Sequence, residues 1–263
     1  MEGHIVNLFE GKVAVVTGGG RGLGLAMARG LGQAGARVAI AGRSAETLER
    51  AVADLSAEGI DVLAVPTDVA DPAAIEAMFG AVIAWGGRVD VAVNNAGIGH
   101  EAPIAEERLE DWDRDIRVML TAPFLVTQQA ARRMERDGAV VNISSIDARA
   151  ADGTFASYNA AKAGLISFTK SAAVELAPLG LRVNSVSPGY ALTDLVAEEL
   201  GPDMVARMSS NFERVPMKRM VTVEEVANAV VFLASPLASG ITGTDLIVDG
   251  GTLANLYIQE TLV

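Results

Sequence analysis

The sequence contains no cysteine and only two histidines among its 263 residues. The absence of cysteine excludes disulfide bonds, thiolate catalysis and cysteine-ligated metal sites, and it favours a cytoplasmic location. No group of histidine and carboxylate residues has the spacing of a metal site, so we predict no metal. The chemistry therefore has to rest on hydroxyl, amide, carboxylate and cationic side chains.

Basic residues are in the minority: 21 Lys and Arg face 33 Asp and Glu, and the formal net charge is −12. A chain of this charge is a poor candidate for binding nucleic acid or anionic membranes. No apolar run is long enough to span a bilayer, and the acidic first ten residues do not resemble a signal peptide. Half of the residues are nevertheless hydrophobic, which allows a large core. We expect a small molecule as the binding partner.

The hydrophobic residues form short β-branched runs that alternate with longer amphipathic stretches, which predicts alternating strands and helices. Strands that are apolar on both faces indicate a parallel sheet covered by helices on each side. We therefore predict one α/β domain over residues 1–263, a Rossmann-type, doubly wound, seven-stranded parallel sheet. The predicted strands cover residues 13–17, 38–41, 62–65, 89–93, 140–144, 183–186 and 246–248. The predicted helices cover residues 23–34, 45–56, 72–85, 112–134, 158–177 and 223–234.

Two places in this pattern depart from regular alternation. Pro123 lies inside the fourth predicted helix, so we expect a kink there. Residues 188–221 contain glycine and prolines and form the longest stretch without a predicted element. A long excursion of this kind is typical of a substrate lid rather than of a domain boundary.

A glycine cluster follows the first predicted strand and precedes the first predicted helix. Its spacing is G-x-x-x-G-x-G, carried by Gly18, Gly22 and Gly24. Backbone N–H groups at a helix N-terminus attract a pyrophosphate, and glycines let the backbone approach it closely. The pattern therefore indicates a dinucleotide site rather than a plain glycine-rich turn.

The end of the second predicted strand indicates which dinucleotide binds. An acidic residue at this place would bind a ribose 2′-hydroxyl, but here the strand runs into Arg43. Arg43 can pair with a 2′-phosphate through its planar guanidinium, and Arg21 can add a second positive charge. We therefore predict NADP(H) as the cofactor. If both arginines are ordinary surface residues, NAD(H) is the alternative.

Tyr158 and Lys162 lie four residues apart at the start of the fifth predicted helix and share one helix face. A nearby ammonium group favours the phenolate and is expected to lower the pKa of Tyr158, which suits a general acid or base. Ser145 follows the fifth predicted strand, thirteen residues before Tyr158. Because ligand sites in open α/β sheets lie at the carboxyl ends of the strands, we predict that these three residues form the catalytic group.

With these motifs in order along the chain, the sequence resembles the short-chain dehydrogenase/reductase family over residues 8–252. The matching positions are residues 17–24, Asp68, residues 94–97, Ser145, Tyr158, Lys162, Pro188, Gly189, Thr193 and residues 248–251. The resemblance implies an oxidoreductase that interconverts a secondary alcohol and a ketone of the 3-oxoacyl, sugar or cyclic type.

The resemblance also implies roles for the matching residues. Tyr158 exchanges a proton with the substrate oxygen, Ser145 orients that oxygen, and Lys162 lowers the pKa of Tyr158 and binds the nicotinamide ribose. Cofactor contacts are implied for Gly18, Arg21, Gly22, Leu23, Gly24, Arg43, Asp68, Val69, Asn95, Ala96, Gly97, Tyr158, Lys162, Pro188, Gly189 and Thr193.

One position departs from the family pattern. The family carries an asparagine in the fourth helix, where this sequence has Met119, and that position holds a water molecule that connects the lysine to solvent. A thioether does not donate a hydrogen bond and accepts only weakly. We expect a proton relay that is weakened rather than broken, since a backbone carbonyl can still hold the water.

Residues next to the catalytic group are candidates for contacting the substrate: His100, Ile146, Asp147 and Tyr190, with Arg149, Phe155 and Leu192 nearby. Asp147 and Arg149 are candidates for recognising a hydroxylated or acidic substrate. The simpler interpretation is that these two residues pair with each other or face solvent. His100 is more simply a loop residue than a ligand or base.

The family commonly pairs its fourth and fifth helices across a two-fold axis, and both helices have small, apolar outer faces here. We therefore expect a homotetramer, with a dimer as the alternative. The apolar tail, residues 252–263, is expected to pack on a neighbouring subunit or to fray. Two other functions stay open at this point, a non-redox enzyme on the same fold and a cofactor-binding scaffold that has lost catalysis.

Overall fold

The computed structural model describes residues 7–151 and 153–255. Seven parallel strands form one sheet: β1 (Val13–Thr17), β2 (Arg37–Gly42), β3 (Val62–Pro66), β4 (Val91–Asn94), β5 (Ala139–Ile143), β6 (Arg182–Pro188) and β9 (Asp245–Val248). Their order across the sheet is β3-β2-β1-β4-β5-β6-β9. This is the predicted seven-stranded, doubly wound sheet.

Helices cover both faces of the sheet: α1 (Gly22–Gln33), α2 (Ala45–Ala57), α3 (Pro72–Gly86), α4 (Leu109–Ile116), α5 (Ala122–Ala131), α6 (Ala156–Leu176), α7 (Asp194–Ser210) and α8 (Val223–Ala234). Alternate strand residues point to opposite faces and so enter two separate cores. Ala14 and Val16 pack in the core covered by α1, α2 and α8. Val13 and Val15 pack in the other core, which is covered by α3, α5 and α6.

The chain changes direction across the sheet between β1 and β4. It winds outward from β1 to β3, then returns to place β4 on the other side of β1. The crevice outside the carboxyl ends of two such strands is where open α/β sheets bind ligands. The glycine cluster after β1 and residues 95–97 after β4 both lie at this edge.

The helix predicted over residues 112–134 is present as one continuous helical segment with slightly different ends, and it is distorted in the turn that precedes Pro123. The distortion is a π-helical turn over Arg117–Thr121, where the Ala122 N–H bonds the carbonyl of Arg117, five residues back. Pro123 follows this turn as the second residue of α5, and it has no N–H to donate to the carbonyl of Met119. The helical segment begins at Leu109 and ends at Ala131.

The expectation that residues 188–221 contain no regular element was wrong, whereas their role as a substrate lid stays a prediction. This segment contains α7, in which Gly201 breaks the helical geometry with φ 72°, and it includes β7 (Ala191–Leu192). β7 pairs with β8 (Val221–Thr222) to form a second, two-stranded sheet. Among the described residues, none of the helices combines the length and apolar character of a membrane span.

Candidate active site

The glycine turn between β1 and α1 is built so that side chains are excluded from it. Gly18 has φ +65°, and a Cβ on it would lie 2.9 Å from the amide nitrogen of Asn95. A Cβ on Gly24 would lie 2.1 Å from the carbonyl oxygen of Gly18. Arg21 caps α1 without a side-chain hydrogen bond, so no capping side chain takes up the first N–H groups of the helix. Such a turn fits a pyrophosphate group.

A cleft of about 590 Å³ opens beside this turn. Its walls come from three loops that follow β1, β2 and β4, together with residues after β3. The predicted cofactor residues Gly18, Arg21, Arg43, Asp68, Val69, Ala96 and Gly97 all line it. A nucleotide with an extended shape fits a cleft of this size and position.

Other predicted cofactor residues lie next to the cleft rather than in its wall. Asn95 donates its side-chain amide to the carbonyls of Thr17 (3.0 Å) and Gly18 (3.2 Å), so it holds the glycine turn against β4. Thr193 lies over Gly22, because a Cβ on that glycine would be 3.7 Å from the threonine side chain. Gly22, Leu23 and Gly24 form the first turn of α1.

Pro188 and Gly189 stand at the end of β6, next to β9. Pro188 pairs with Val248, and Gly189 donates its N–H to the carbonyl of the same residue. A Cβ on Gly189 would lie 2.8 Å from Asp249. In the structure, Pro188 and Gly189 therefore join β6 to β9 at the carboxyl edge of the sheet.

Arg21 and Arg43 both line the cleft, and both are exposed. Within residues 7–151 and 153–255, neither guanidinium takes part in a hydrogen bond or an ion pair. Both charges are therefore available to an anionic ligand in this cleft. The exposed Asp68 also lines the cleft, and its carboxylate accepts the N–H of Ala70.

Ser145 lies directly beyond β5, and its side chain is buried. Its hydroxyl caps a short 3₁₀ turn, Ile146–Ala148, by accepting the N–H of Asp147 at 3.1 Å. The same hydroxyl donates to the carboxylate of Asp147 at 3.1 Å. The Ser145 hydroxyl is thus held by two hydrogen bonds to Asp147, one to its backbone N–H and one to its carboxylate.

Tyr158 and Lys162 occupy adjacent turns of α6, and the Lys162 ammonium nitrogen lies 5.4 Å from the centre of the Tyr158 ring. Lys162 is buried and donates to the carbonyl of Ile143 at 2.8 Å. Burial lowers the pKa of Lys162 to about 8. The ammonium is therefore held near the phenol by the last residue of β5.

The pKa of Tyr158 moves in the direction opposite to the prediction. Burial raises it, a hydrogen-bonding interaction with Ser145 lowers it, and the charge of Asp147 raises it further. The net effect is an increase, since burial disfavours the phenolate more than the neighbouring groups stabilise it. The phenol is therefore protonated at neutral pH.

Buried polar side chains next to the catalytic group are connected by hydrogen bonds. Asn94 donates to the side-chain oxygen of Asn142 at 2.8 Å, and Asn142 donates to the hydroxyl of Thr169 at 2.8 Å. Ser144 donates to the carbonyl of Lys162 at 3.0 Å. These bonds connect β4, β5 and α6, which carry the residues of the site.

Met119 lies in the π-helical turn and is fully buried. It packs in the apolar core between the sheet and α6, together with Val140 and Ala161. The methionine side chain is thus a core residue. Because Pro123 has no N–H, it cannot donate to the carbonyl of Met119, four residues before it.

The structure gives each of the predicted substrate residues a different local environment. Ile146 is buried directly after Ser145, and the ring of Phe155 lies 6.3 Å from that of Tyr158. The ring of Tyr190 packs against Phe212 at 5.1 Å. His100 lies in the loop after β4, with its Nε2 atom 3.7 Å from the carboxylate of Asp111.

Asp147 and Arg149 do not pair with each other, which was one of the two simpler alternatives, whereas the exposed side chain of Arg149 agrees with the other alternative. Arg149 donates to the carboxylate of Asp245 at 2.7 Å, across 96 residues of sequence. Asp245 in turn accepts from the hydroxyls of Ser185 and Ser187. The Arg149 guanidinium is therefore bound to β9.

Sequence reasoning missed several residues of the site. Ser44, Thr47, Thr67, Ile98 and Val118 also line the cleft. Ser44 had a usable signal, since a serine directly after a strand and before a helix is a typical N-cap, and it does cap α2. The other four have no signal of their own, because they reach the cleft only through the packing of the loops.

Asp115 was missed as well. Its carboxylate is fully buried and accepts the hydroxyl of Ser157, the residue before Tyr158, at 2.8 Å. This bond holds the first turn of α6 against α4, and Phe155 provides no side-chain cap for that turn. Asp115 thus helps to position the segment that carries Tyr158.

Comparisons with known proteins agree with this geometry. A family model described as enoyl-(acyl carrier protein) reductase matches residues 18–252. The chain is 43% identical over 249 residues to cis-4-hydroxycyclohexanecarboxylate dehydrogenase of Sinomonas cyclohexanicum, covering 94% of this chain and 98% of the relative. It is 40% identical over 246 residues to the 3-oxoacyl-(acyl-carrier-protein) reductase FabG of Escherichia coli (strain K12), covering 92% and 98%.

A solved structure leads to the same family. The short chain dehydrogenase from Burkholderia cenocepacia J2315, in complex with NADP, matches with a TM-score of 0.86 at 36% identity and covers 94% of this chain and 100% of that chain. The sheet order, the glycine turn and the Ser145–Tyr158–Lys162 group are all present in one structure. The chain belongs to the short-chain dehydrogenase/reductase family and is an NAD(P)-dependent oxidoreductase that acts on CH–OH and keto groups.

Proposed function

We propose that this enzyme interconverts a secondary alcohol and a ketone with NADP(H) as its cofactor. The observation that carries the proposal is the joint presence of two features at the carboxyl edge of the sheet. One is a buried phenol beside Ser145 and Lys162. The other is a cleft whose lining includes the exposed side chains of Arg21 and Arg43.

The glycine turn and Thr193 would hold the pyrophosphate, and Asp68, Val69, Ala96 and Gly97 would line the rest of the cofactor. The nicotinamide, when bound, supplies or accepts the hydride. In reduction, the phenol of Tyr158 donates a proton to the carbonyl oxygen. Its raised pKa keeps it protonated at neutral pH and suits the role of a general acid.

Lys162 assists in the opposite direction, when the phenol has to accept the alcohol proton. A phenolate beside an ammonium is more stable than one beside neutral groups, because opposite charges attract. The ammonium is held in place by its hydrogen bond to the carbonyl of Ile143. In our proposal Ser145 orients the substrate oxygen, and Asp115 acts through Ser157 as a positioning residue.

The preference for NADP(H) over NAD(H) rests on charge. A 2′-phosphate next to Arg21 and Arg43 would gain two cations that have no other described partner. The solved relative with bound NADP supports this assignment. The names of the relatives provide the substrate classes to screen, which are cyclic secondary alcohols and 3-oxoacyl compounds, together with sugar-type ketones.

We also propose one domain that assembles into a homotetramer, with a dimer as the alternative. Exposed apolar side chains support assembly through α4, α5 and α6, where Leu109, Phe124 and Val174 are 69%, 43% and 80% exposed. Light scattering on the purified protein measures the assembly directly. The predicted role of the tail lies mostly outside the described residues, which end at 255. A cytoplasmic location stays a prediction.

The catalytic part of the proposal is tested with Tyr158→Phe, which removes the hydroxyl and keeps the ring. We expect kcat for ketone reduction to fall by at least about a hundredfold, the usual size of a general-acid contribution. The Kd for NADPH should stay within about twofold of the wild-type value. A variant that keeps its turnover would contradict the role of Tyr158, and a wild-type protein that binds NADPH but reduces no ketone would indicate a scaffold.

A further inference from the structure

The hydroxyl of Ser145 is engaged on two sides by Asp147. A hydroxyl has one proton to donate and two lone pairs that accept. The proton of Ser145 points to the Asp147 carboxylate at 3.1 Å, and one lone pair accepts the Asp147 N–H at 3.1 Å. The phenol of Tyr158 is the other polar neighbour of this hydroxyl.

This arrangement has a consequence for the substrate. A simple ketone offers only acceptor atoms, so it can bind Ser145 only if the proton leaves Asp147. The carboxylate would then lose a charge-assisted hydrogen bond, which is among the stronger ones in proteins. A substrate that brings its own donor to Asp147 avoids this loss.

The required donor has to reach the carboxylate while the reacting oxygen reaches Ser145 and Tyr158. The Ser145 oxygen and the Asp147 oxygen are 3.1 Å apart. The two oxygens of adjacent carbons in a gauche diol or hydroxy ketone are separated by about 3 Å, close to a hydrogen-bond distance. A hydroxyl on the carbon next to the reacting carbon therefore matches the spacing.

A hydroxyl group suits this place because it can donate to the carboxylate without bringing a second negative charge next to it. The negative charge of Asp147 also contributes to the raised pKa of Tyr158.

We propose that Asp147 is a specificity-determining residue that selects vicinal diols and α-hydroxy ketones as substrates. The substrate hydroxyl replaces Ser145 as the hydrogen-bond donor to Asp147. The Ser145 hydroxyl then turns and donates a hydrogen bond to the carbonyl oxygen. This inference rests on the redox function proposed above and narrows its substrate class.

The test compares 2-hydroxycyclohexanone with cyclohexanone as substrates for NADPH-dependent reduction. The wild-type protein is expected to prefer the hydroxy ketone in kcat/KM by about tenfold to a hundredfold, the size of one charge-assisted hydrogen bond. In Asp147→Ala the ratio should fall to within about threefold of one. The loss should come from slower turnover of the hydroxy ketone and faster turnover of cyclohexanone.

Two further variants sharpen the comparison. Asp147→Asn keeps an acceptor oxygen without the charge, and we expect an intermediate ratio. Asp54→Ala removes an exposed carboxylate from α2 and should leave the ratio at the wild-type value. Equal use of both ketones by the wild-type protein, or an unchanged ratio in Asp147→Ala, would overturn the inference.

A binding measurement separates failure of this inference from failure of the redox function. If no ketone is reduced, the redox proposal fails, but calorimetric titration with cis-1,2-cyclohexanediol and with cyclohexanol still tests Asp147. Tighter binding of the diol that disappears in Asp147→Ala supports the inference, and equal binding overturns it. Tighter binding of 2-aminocyclohexanol than of the diol would assign the carboxylate to an ammonium group instead.

Discussion

At the scale of single residues, the site places a phenol and an ammonium group in surroundings that disfavour their charged forms. Burial raises the pKa of Tyr158 and lowers the pKa of Lys162 to about 8. The ammonium has one described hydrogen bond, to the carbonyl of Ile143. Keeping Lys162 charged in the folded protein therefore costs stability, and we expect this cost to be visible in unfolding experiments.

Replacement of the buried ammonium, Lys162→Met, should stabilise the fold while it removes turnover. The pKa falls from 10.5 to about 8 on folding. Such a shift corresponds to at most about 3 kcal/mol at pH 7. Loss of the hydrogen bond to Ile143 offsets about 1 kcal/mol of the stabilisation gained by removing the charge. We therefore expect urea unfolding at pH 7 to give a free energy of unfolding about 1–2 kcal/mol above wild type.

The pH dependence of this difference provides the check. Because the folded pKa lies below the unfolded one, the wild-type protein is penalised below pH 8, and the penalty disappears as the pH rises from about 8 to 10.5. The stabilisation by Lys162→Met should shrink over that window. Lys170→Met, an exposed lysine of the same helix, is the matched control and should show no such trend. A destabilised Lys162→Met protein would contradict the assignment.

The residue types of this site were predictable, but their surroundings were not. Tyr158, Lys162 and Ser145 stand at a motif spacing that can be read along the chain, and the structure brings them together. The direction of the Tyr158 pKa depends on burial by segments distant in sequence. The pairing of Arg149 with Asp245 joins residues 96 positions apart, and no local pattern encodes it.

At the scale of secondary-structure elements, the segment from α4 to α5 departs most from what the sequence predicts. The apolar periodicity indicates a helix but does not distinguish an α-turn from a π-turn, since the two differ by one residue in the hydrogen-bond spacing. Pro123 therefore indicates a distortion in the preceding turn, but it does not indicate that this turn is π-helical. The π-turn over Arg117–Thr121 carries Met119 into the apolar core and leaves Asp115 against the first turn of α6.

Met119→Asn tests whether the core around the π-turn requires an apolar side chain at this position. The asparagine amide would be buried among apolar side chains, and an unsatisfied buried polar group costs about 1–3 kcal/mol. We expect a loss of that size in the free energy of unfolding, measured in urea. Met119→Leu, which keeps the volume, should cost less than about 1.5 kcal/mol.

The same two variants address the proton relay. If kcat per folded molecule and its pH profile are the same in Met119→Asn and in wild type, the side chain at this position takes no part in the relay. A rise in kcat with Met119→Asn alone would support the expected weakened relay. An asparagine variant as stable as wild type would show that the amide finds a partner in this core.

At the scale of the whole molecule, the two edges of the sheet have different roles. The carboxyl edge carries the cleft and the catalytic group, whereas the amino edge carries a structural ion cluster. There Asp90 accepts from Arg88 at 2.6 and 2.8 Å, from Lys12 at 3.1 Å and from the N–H of Val13 at 3.0 Å. The cluster ties β1 to β4 at the end away from the site. The parallel sheet and its two helical layers were predictable from strand–helix alternation, but the strand order and this cluster were not.

Asp90→Asn should destabilise the fold without affecting cofactor affinity. Burial alone would raise the pKa of Asp90, but the bonds from Arg88, Val13 and Lys12 lower it below its ordinary value of 3.8. We expect a loss of about 1–3 kcal/mol in the free energy of unfolding at pH 7, because both cations are partly exposed and recover hydration.

This loss has a defined pH window. The stabilisation from Asp90 is present above pH 3.8 and is lost as the pH falls through the lowered folded pKa. The difference between Asp90→Asn and wild type should therefore persist from pH 7 to about pH 4 and shrink below it. Asp61→Asn, which breaks an exposed pair with Arg37, should cost less than about 1 kcal/mol and serves as the control.

Titration of the purified protein with NADPH and with NADH, followed by nicotinamide fluorescence, measures whether this protein is a redox enzyme that prefers NADP(H). We expect NADPH to bind at least about tenfold more tightly than NADH, the size of one charge-assisted contact, and we expect Arg43→Ala to lose this preference. Arg50→Ala, which removes an exposed arginine of the neighbouring helix, should keep the preference. Equal or tighter binding of NADH by the wild-type protein, or binding of neither dinucleotide, would show that NADP(H) is not the preferred cofactor.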